Sequence, residues 1–390
     1  MKKIGFFLHP TMEWVGGINY YRNLFSAINK IDEKNISAIV FLPKNLDKKI
    51  VEMLALDERN LKVVRTTMLQ KYSPYWFFWK FIRKIFGSDL AALPLCMMYG
   101  IRIVSHSNFA NIPIVRIINW IPDFQHIHLS AFFGIKEARK RDDEFSRLIF
   151  GADRVVVSSN IAAQDLERLY PDSRSKLFIL RFAISAPDFY WKLDKVSQNS
   201  LAKRYRIEEH FFYIPNQFWV HKNHKILIDA TRILKERDIK IQMVLSGATQ
   251  DYRNPNYFLE LKKYIIDSDC EDSFRVLNII SYRDVYSLIK FSLAVINPSR
   301  FEGWSSSVEE CKSVGKKMIL SDIPVHHEQL ENALFFKVDN ASELADRIQE
   351  IWNNRFSEVN NNHLEIIERN KQKILEYGER YFELIALVLA

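Results

Sequence analysis

Short apolar runs alternate with stretches of helical spacing along the whole chain. Ile4 to Leu8, Ser37 to Leu42, Leu61 to Thr66, Gly100 to His106, Arg116 to Pro122 and Arg154 to Val157 read as strands. Amphipathic patterns around Lys49 to Leu54 and from Ala162 to Tyr170 read as the helices between them. The rhythm restarts with strand candidates at Phe211 to Ile214, Ile241 to Gly247, Phe274 to Ile280 and Phe291 to Ile296, with a helix over Val285 to Lys290 and an amphipathic close at Ile374 to Leu387. Strand, helix, strand alternation with right-handed crossovers predicts parallel sheets. A chain of 390 residues exceeds one ordinary core, so two domains are expected. The periodicity breaks between Ala183 and Tyr205, which reads as a linker. It divides the chain into residues 1–185, 186–370 and a closing helix over 371–390.

The stretch from Asn297 to Glu310 carries the strongest chemical pattern. Phe291 to Ile296 reads as a strand buried on both faces, and Pro298 ends it by removing a ladder donor. The chain then leaves the carboxyl edge of a sheet, where open α/β folds bind ligands. Ser306-Ser307-Val308-Glu309 has the form of a capping box, so a helix is expected from Ser306 to a stop at Gly315. Amides from Trp304 to Ser307 would then face an anion. Glu302 lies in the loop and Glu310 a turn inside the helix, so the two carboxylates have different reach. The plainer alternative is that acidic residues decorate a helix start for dipole reasons.

Composition narrows the partners. The formal net charge of +8 suits anionic ligands or surfaces, and no zinc-finger, RRM or basic-heptad pattern points to nucleic acid. Cys96, Cys270 and Cys311 have no metal or disulfide spacing, which fits a reducing compartment. No apolar stretch reaches membrane-span length, and Met1-Lys2-Lys3 runs straight into the first strand, unlike a signal peptide. A cytoplasmic protein is expected. Residues 74–86 are dense in aromatic and basic side chains. They read as a helix that either covers the first sheet or lies in a groove or bilayer interface, with Trp76, Phe77, Trp79, Phe81 and Phe86 as rings and Lys80, Arg83 and Lys84 as charges.

The run from Asn297 through Asp322 resembles the E-x7-E signature of the retaining glycosyltransferases of family 4 (glycosyl transferases group 1). That resemblance implies an α/β chain of GT-B fold, two Rossmann-like doubly wound domains facing a central cleft. It implies transfer of a sugar from a nucleotide diphosphate donor, UDP- or GDP-linked, to a hydroxyl, with no cofactor and no metal site. Glu302 would orient the sugar, Glu310 would hold the ribose and Lys222 would stabilise the departing diphosphate. Gly16, Gly17, Gln217, Gly247, Ile280, Ser281, Gly303, Trp304, Ser305 and Ser306 complete the implied donor side. Asp123 and His128 fall on the acceptor side.

Two positions depart from the family pattern. Gln217 stands where the family has an Arg that clamps phosphate, so a fixed positive charge is lost. Pro122 stands where a sugar-contacting His precedes Asp123, leaving His126 either to supply the imidazole or to be a surface residue. The implied acceptor is a glycan or lipid-linked oligosaccharide in O-antigen, capsule or other surface polysaccharide assembly, reached at the inner face of the plasma membrane through residues 74–86. The rival reading is a sugar-nucleotide or glycan-binding protein whose transferase site has decayed.

Overall fold

The apolar runs of the first half pair into one parallel sheet: β1 (Lys2–Phe7), β2 (Ile36–Pro43), β3 (Leu61–Thr66), β4 (Ile101–Ser105), β5 (Arg116–Trp120), β6 (Arg154–Val157) and β7 (Leu177–Ile179). Their spatial order is β3-β2-β1-β4-β5-β6-β7, and β1 meets β2 with Phe6 opposite Val40. The computed structural model describes residues 2–31, 36–56, 61–251, 253–356 and 362–390. In the second half β8 (Phe212–Ile214), β9 (Met243–Leu245), β10 (Phe274–Val276), β11 (Val295–Asn297), β12 (Met318–Ser321) and β13 (Leu334–Phe336) form a second parallel sheet, ordered β10-β9-β8-β11-β12-β13. Both orders run outward from the first strand in each direction, the doubly wound Rossmann-like arrangement.

The chain divides into two compact units, Met1–Ala183 with Lys371–Ala390, and Ile184–Asn370. In the second unit, strand residues alternate between two buried layers. Phe212, Ile214, Met243 and Leu245 enter one, and Tyr213, Val244 and Val295 the other, as a period of two requires when helices cover both faces. In the first unit the last helix, His363–Leu389, contributes its later turns to the core. Tyr381 stacks near Phe6 and its hydroxyl donates to Ser105 Oγ at 3.1 Å, 276 residues away. Gly378 lies against Ala27 and Ile31, where a Cβ would meet the Ile31 side chain at 2.7 Å.

Several expectations need correction. Phe291 closes the helix Tyr282–Phe291, and the strand begins only at Val295, because a helical face of Tyr286, Leu288 and Ile289 is buried and draws Phe291 into its last turn. The stretch read as a linker holds the helices Asp188–Trp191 and Lys195–Tyr205; Asp194 caps the latter by accepting from the Ser197 amide at 2.9 Å. In the helix Lys195–Tyr205 the scattered charges form an exposed face over its one buried residue, Leu201. The helix Pro74–Phe86 turns Trp79 inward, where its indole donates to buried Asp89 at 2.7 Å; Arg83 bonds the same carboxylate at 2.7 Å. Trp79 and Arg83 are therefore internal, while Phe77, Phe78, Phe81 and Phe86 are exposed.

Candidate active site

Sheet order in the second unit turns between β8 and β11, and the chain carries polar side chains at the carboxyl ends of both strands. Asn216 Nδ2 donates to Asn297 Oδ1 at 3.1 Å, tying the two ends together. Asn297 is fully buried, and its Nδ2 also reaches Ser305 Oγ at 2.9 Å and Ser307 Oγ at 3.2 Å. Ser299 Oγ lies 2.7 Å from Asn297 Oδ1 and 2.7 Å from Glu302 Oε1, so its single proton serves one of them at a time. A buried polar network held this way rigidifies the loop that presents Glu302.

Lys222 arrives from the facing strand. It ends the short turn Val220–Lys222, after which Asn223 takes a left-handed conformation (φ 54°) that Asn tolerates, and the helix His224–Glu236 begins. The Arg300 amide donates to His221 O at 2.8 Å and fastens this turn to the Glu302 loop. Lys222 Nζ then donates to Glu302 Oε1 at 2.6 Å, with side-chain exposures of 14% and 9%. Burial alone would raise the Glu302 carboxyl, but the Lys222 ammonium, then His326 and the Lys222 and Ser299 hydrogen bonds, outweigh it and hold it below the ordinary carboxylate value. Lys222 Nζ, Asn297 Nδ2 and Ser299 Oγ converge on Oε1, which leaves Oε2 as the oxygen able to accept from a ligand hydroxyl.

Behind the pair lie groups that the spacing of the sequence did not reveal. Gln329 accepts from the Ser305 amide at 2.9 Å, and its Nε2 donates to Ser305 O at 3.1 Å and to Glu309 Oε1 at 3.0 Å. His326 Nδ1 donates to Ser321 O at 2.9 Å, so its Nε2 carries a lone pair that is buried without a partner. Burial, opposed first by Glu302, lowers His326 to about 4, and the ring is neutral at pH 7. Asn297 and Ser299 share one sequence signal, polar residues at or just past the end of an apolar strand, where desolvation demands a partner, whereas His326 and Gln329 lie in the helix Pro324–Gln329 and carry no such signal.

The implied residues of this unit divide by what holds them. The helix runs Ser306–Ser313 with Ser305 as its cap and no side-chain capping bond, so the expected capping box does not form. Glu309 is instead bonded by Gln329 and by Lys312 Nζ at 2.8 Å, and the Ser305 amide is committed to Gln329. Gly315 follows the helix at φ +67°, the left-handed stop expected of it. Glu310 is buried and close enough to help raise the Tyr213 and Tyr286 hydroxyls, after burial itself. Ser281 caps the helix Tyr282–Phe291 through the Asp284 amide at 3.1 Å, and Ile280 packs into the adjoining core. Gln217 is half-buried, while Gly303 and Trp304 form a bend with Lys312 Nζ 5.8 Å from the indole centre. Neither neighbouring arginine replaces the missing charge directly, since Arg253 pairs with Asp251 at 3.1 Å and Arg300 with Asp339 at 2.8 Å.

Gly247 has a clear requirement. Its φ is +152°, and a Cβ there would stand 2.4 Å from the Asn216 carbonyl oxygen. Gly247→Ala is expected to cost roughly 2–4 kcal/mol, combining backbone strain with overpacking. Urea unfolding checks this; a midpoint equal to that of the wild type would contradict it.

The remaining implied residues belong to the first unit. Gly16 and Gly17 lie in the first turn of the helix Val15–Lys30, not before it. Gly17 is glycine because a Cβ would sit 2.5 Å from the Trp14 ring, a packing demand of its own. Asp123 Oδ1 accepts from the Gln125 amide at 2.9 Å, and His128 Nε2 lies 2.6 Å from Asp165. His126 is not a surface residue: it is 1% exposed, sits among Phe124, Phe133 and Phe145, and places Nε2 2.9 Å from Asp142. That enclosure corrects the reading of His126 as a surface residue. Among the described residues no group of three or more His, Cys, Asp or Glu could hold a metal ion.

The whole strand-end network of the second unit lies within one region of recognisable sequence. Residues 200–373 match the family described as Glycosyl transferases group 1. This group 1 region contains Lys222, Asn297, Glu302, His326 and Gln329. The chain is also similar to the O-antigen chain mannosyltransferase RfbU of Salmonella typhimurium, 23% identical over 198 residues, half of each chain. The chain thus spans about half the length of this curated relative. Among solved structures, a glycosyltransferase from Rickettsia africae covers 100% of this chain and 98% of its own at TM-score 0.69 and 15% identity. Anabaena Alr3699/HepE in complex with UDP-glucose covers 99% and 100% at TM-score 0.70 and 14% identity. These likenesses over full length give the fold, that of the GT-B glycosyltransferases.

Proposed function

We propose that this protein is a retaining, metal-independent glycosyltransferase that moves a sugar from a nucleotide diphosphate donor to a hydroxyl of a glycan or lipid-linked acceptor. The observation that carries the reading is the buried Lys222–Glu302 pair at the carboxyl ends of β8 and β11, inside the group 1 region. Donor binding would draw the Lys222 ammonium toward the diphosphate, stabilising the charge that develops on the leaving group. Glu302, kept ionised and fixed by Ser299 and Asn297, would accept a hydroxyl of the donor sugar through Oε2. Glu310 would hold the ribose. Departure and attack on the same face of the sugar would account for retention.

The RfbU relative supports a hexose and a role in surface polysaccharide assembly, and the UDP-glucose complex of HepE supports a nucleotide donor. Work at the inner face of the plasma membrane belongs to the same proposal; among the described residues no helix is long and apolar enough to cross a membrane. The test is a panel of UDP- and GDP-hexoses scored by thermal shift and by sugar release. One donor should stabilise the protein, by about 2.7 kcal/mol at a hundredfold excess over its dissociation constant, and should be turned over. If no donor does either, the proposal fails. Stabilisation without any turnover would favour the binding-protein reading, which Gln217 supports.

Metal independence has its own check. With Lys222 as the cation beside Glu302, transfer is expected to stay undiminished in excess EDTA. Complete loss that magnesium restores would refute it.

A further inference from the structure

Helix Pro74–Phe86 is a finished structural element, capped by Ser73 at its start and by Gly87 (φ +61°) at its end. Its inner side is pinned by Asp89, which is fully buried and accepts from Trp79, Arg83, Arg147 and the Ala110 amide. Its outer side is nevertheless apolar. Phe77, Phe81 and Ile85 recur every four residues and Phe78 lies seven before Ile85, so the four share one stripe, each 53–61% exposed. Lys80 and Lys84 are exposed along one border of that stripe. The turn Leu90–Ala92 packs against this helix and against the helix Leu93–Tyr99, whose Met97 and Met98 are 66% and 74% exposed.

Charge is concentrated in the same stretch. Residues 61–122 contain eight lysines and arginines and one acidic residue, Asp89, a surplus of seven against eight for the entire chain. Asp89 is buried and bonded inward, so this segment exposes no carboxylate among its described residues, and Glu144 of another helix is the partly exposed acid that acts on Lys80. An exposed aromatic stripe bordered by lysines combines the two features that hold a protein in a bilayer interface, apolar side chains for the acyl boundary and cations for the headgroups.

We infer that the outer face of helix Pro74–Phe86 docks on an anionic phospholipid surface through Phe77, Phe78, Phe81 and Ile85, with Lys80 and Lys84 on the headgroups. This contact deepens the placement at a membrane surface proposed above but does not rest on sugar transfer, because none of these side chains belongs to the Lys222–Glu302 network.

The experiment is co-sedimentation of the full chain with phosphatidylcholine vesicles with and without phosphatidylglycerol. Wild-type protein should pellet with the anionic vesicles only, and less at high salt, since exposed charges are screened over about 8 Å at physiological ionic strength. Lys80→Glu with Lys84→Glu should lower the partition constant about tenfold or more. Phe77→Ser with Phe81→Ser should lower it comparably, while both variants keep the wild-type melting curve because the changed side chains are exposed. Wild-type protein left in the supernatant with anionic vesicles, or variants that bind as well as the wild type, would overturn the inference. So would a wild-type dimer that the phenylalanine variant abolishes, since a second copy would then cover the face. Lys222→Met is expected to retain vesicle binding, so a protein that binds vesicles and transfers nothing keeps this inference and loses the other.

Discussion

Lys222→Met and Glu302→Gln should each lower glycosyl transfer by roughly 100-fold or more, the scale of a lost electrostatic contact to a transition state. Their structural cost differs from that of an ordinary surface change. Each leaves a charge unpaired among buried partners, which costs about 3–5 kcal/mol. The double variant removes both charges, so it should regain most of that stability while remaining inactive. Denaturant melts and initial rates on the four proteins of this cycle give the answer. Near-wild-type transfer in either folded single variant would exclude the pair from the chemistry, and stability losses that simply add would show that the two side chains do not interact.

Acid should unfold the protein well above the carboxylate range. His326 is lowered to about 4 and His106 and His224 to about 3, and His221 lies well below its ordinary value; burial is the first cause for all four. A histidine whose folded pKa is depressed binds more protons when unfolded, so its contribution is fully present above about pH 6.5 and is lost as pH falls toward the folded value. Each then costs about 1.4 kcal/mol per pH unit, roughly 6 kcal/mol at pH 5 for His106, His224 and His326 together. That is comparable with the whole stability of a typical domain. Glu302, also depressed, adds its loss lower down, below its unfolded value near 4.3. Circular dichroism between pH 7 and 4 should show unfolding near pH 5. His224→Phe, at a ring stacked 4.5 Å from Phe218, should move the transition to lower pH. A protein still folded at pH 4 would refute this account of its acid sensitivity.

Periodicity made most of the fold readable. β3 and β6 coincide with apolar runs in the sequence, and the helix Pro74–Phe86 opens at the proline that announces it. What escaped includes β7 and β13, three residues each, and contacts made only by folding. The Glu302 loop was legible because its residues are adjacent in sequence. Lys222 came from the resemblance to the family pattern, which carries a Lys after the corresponding strand. His326 and Gln329 were not legible, since their partners Ser321, Ser305 and Glu309 are joined to them by folding rather than by a motif. The opposite error occurred at residues 306–309, where a capping-box pattern exists in the sequence but Gln329 holds Glu309 by a hydrogen bond from another element.

The return of the last helix to the first unit has a consequence for biosynthesis. Residues 184–370 are continuous and can complete their core as soon as they have emerged, whereas the first unit lacks Tyr377, Tyr381, Leu384 and Ile385 until the final turns appear. Translation therefore delivers the second unit whole while Phe6, Ala27 and Ile31 still wait for their cover. A ribosome stalled near Asn370 would release a chain with one intact unit and one with an uncovered apolar face, the kind of product that chaperones and proteases recognise.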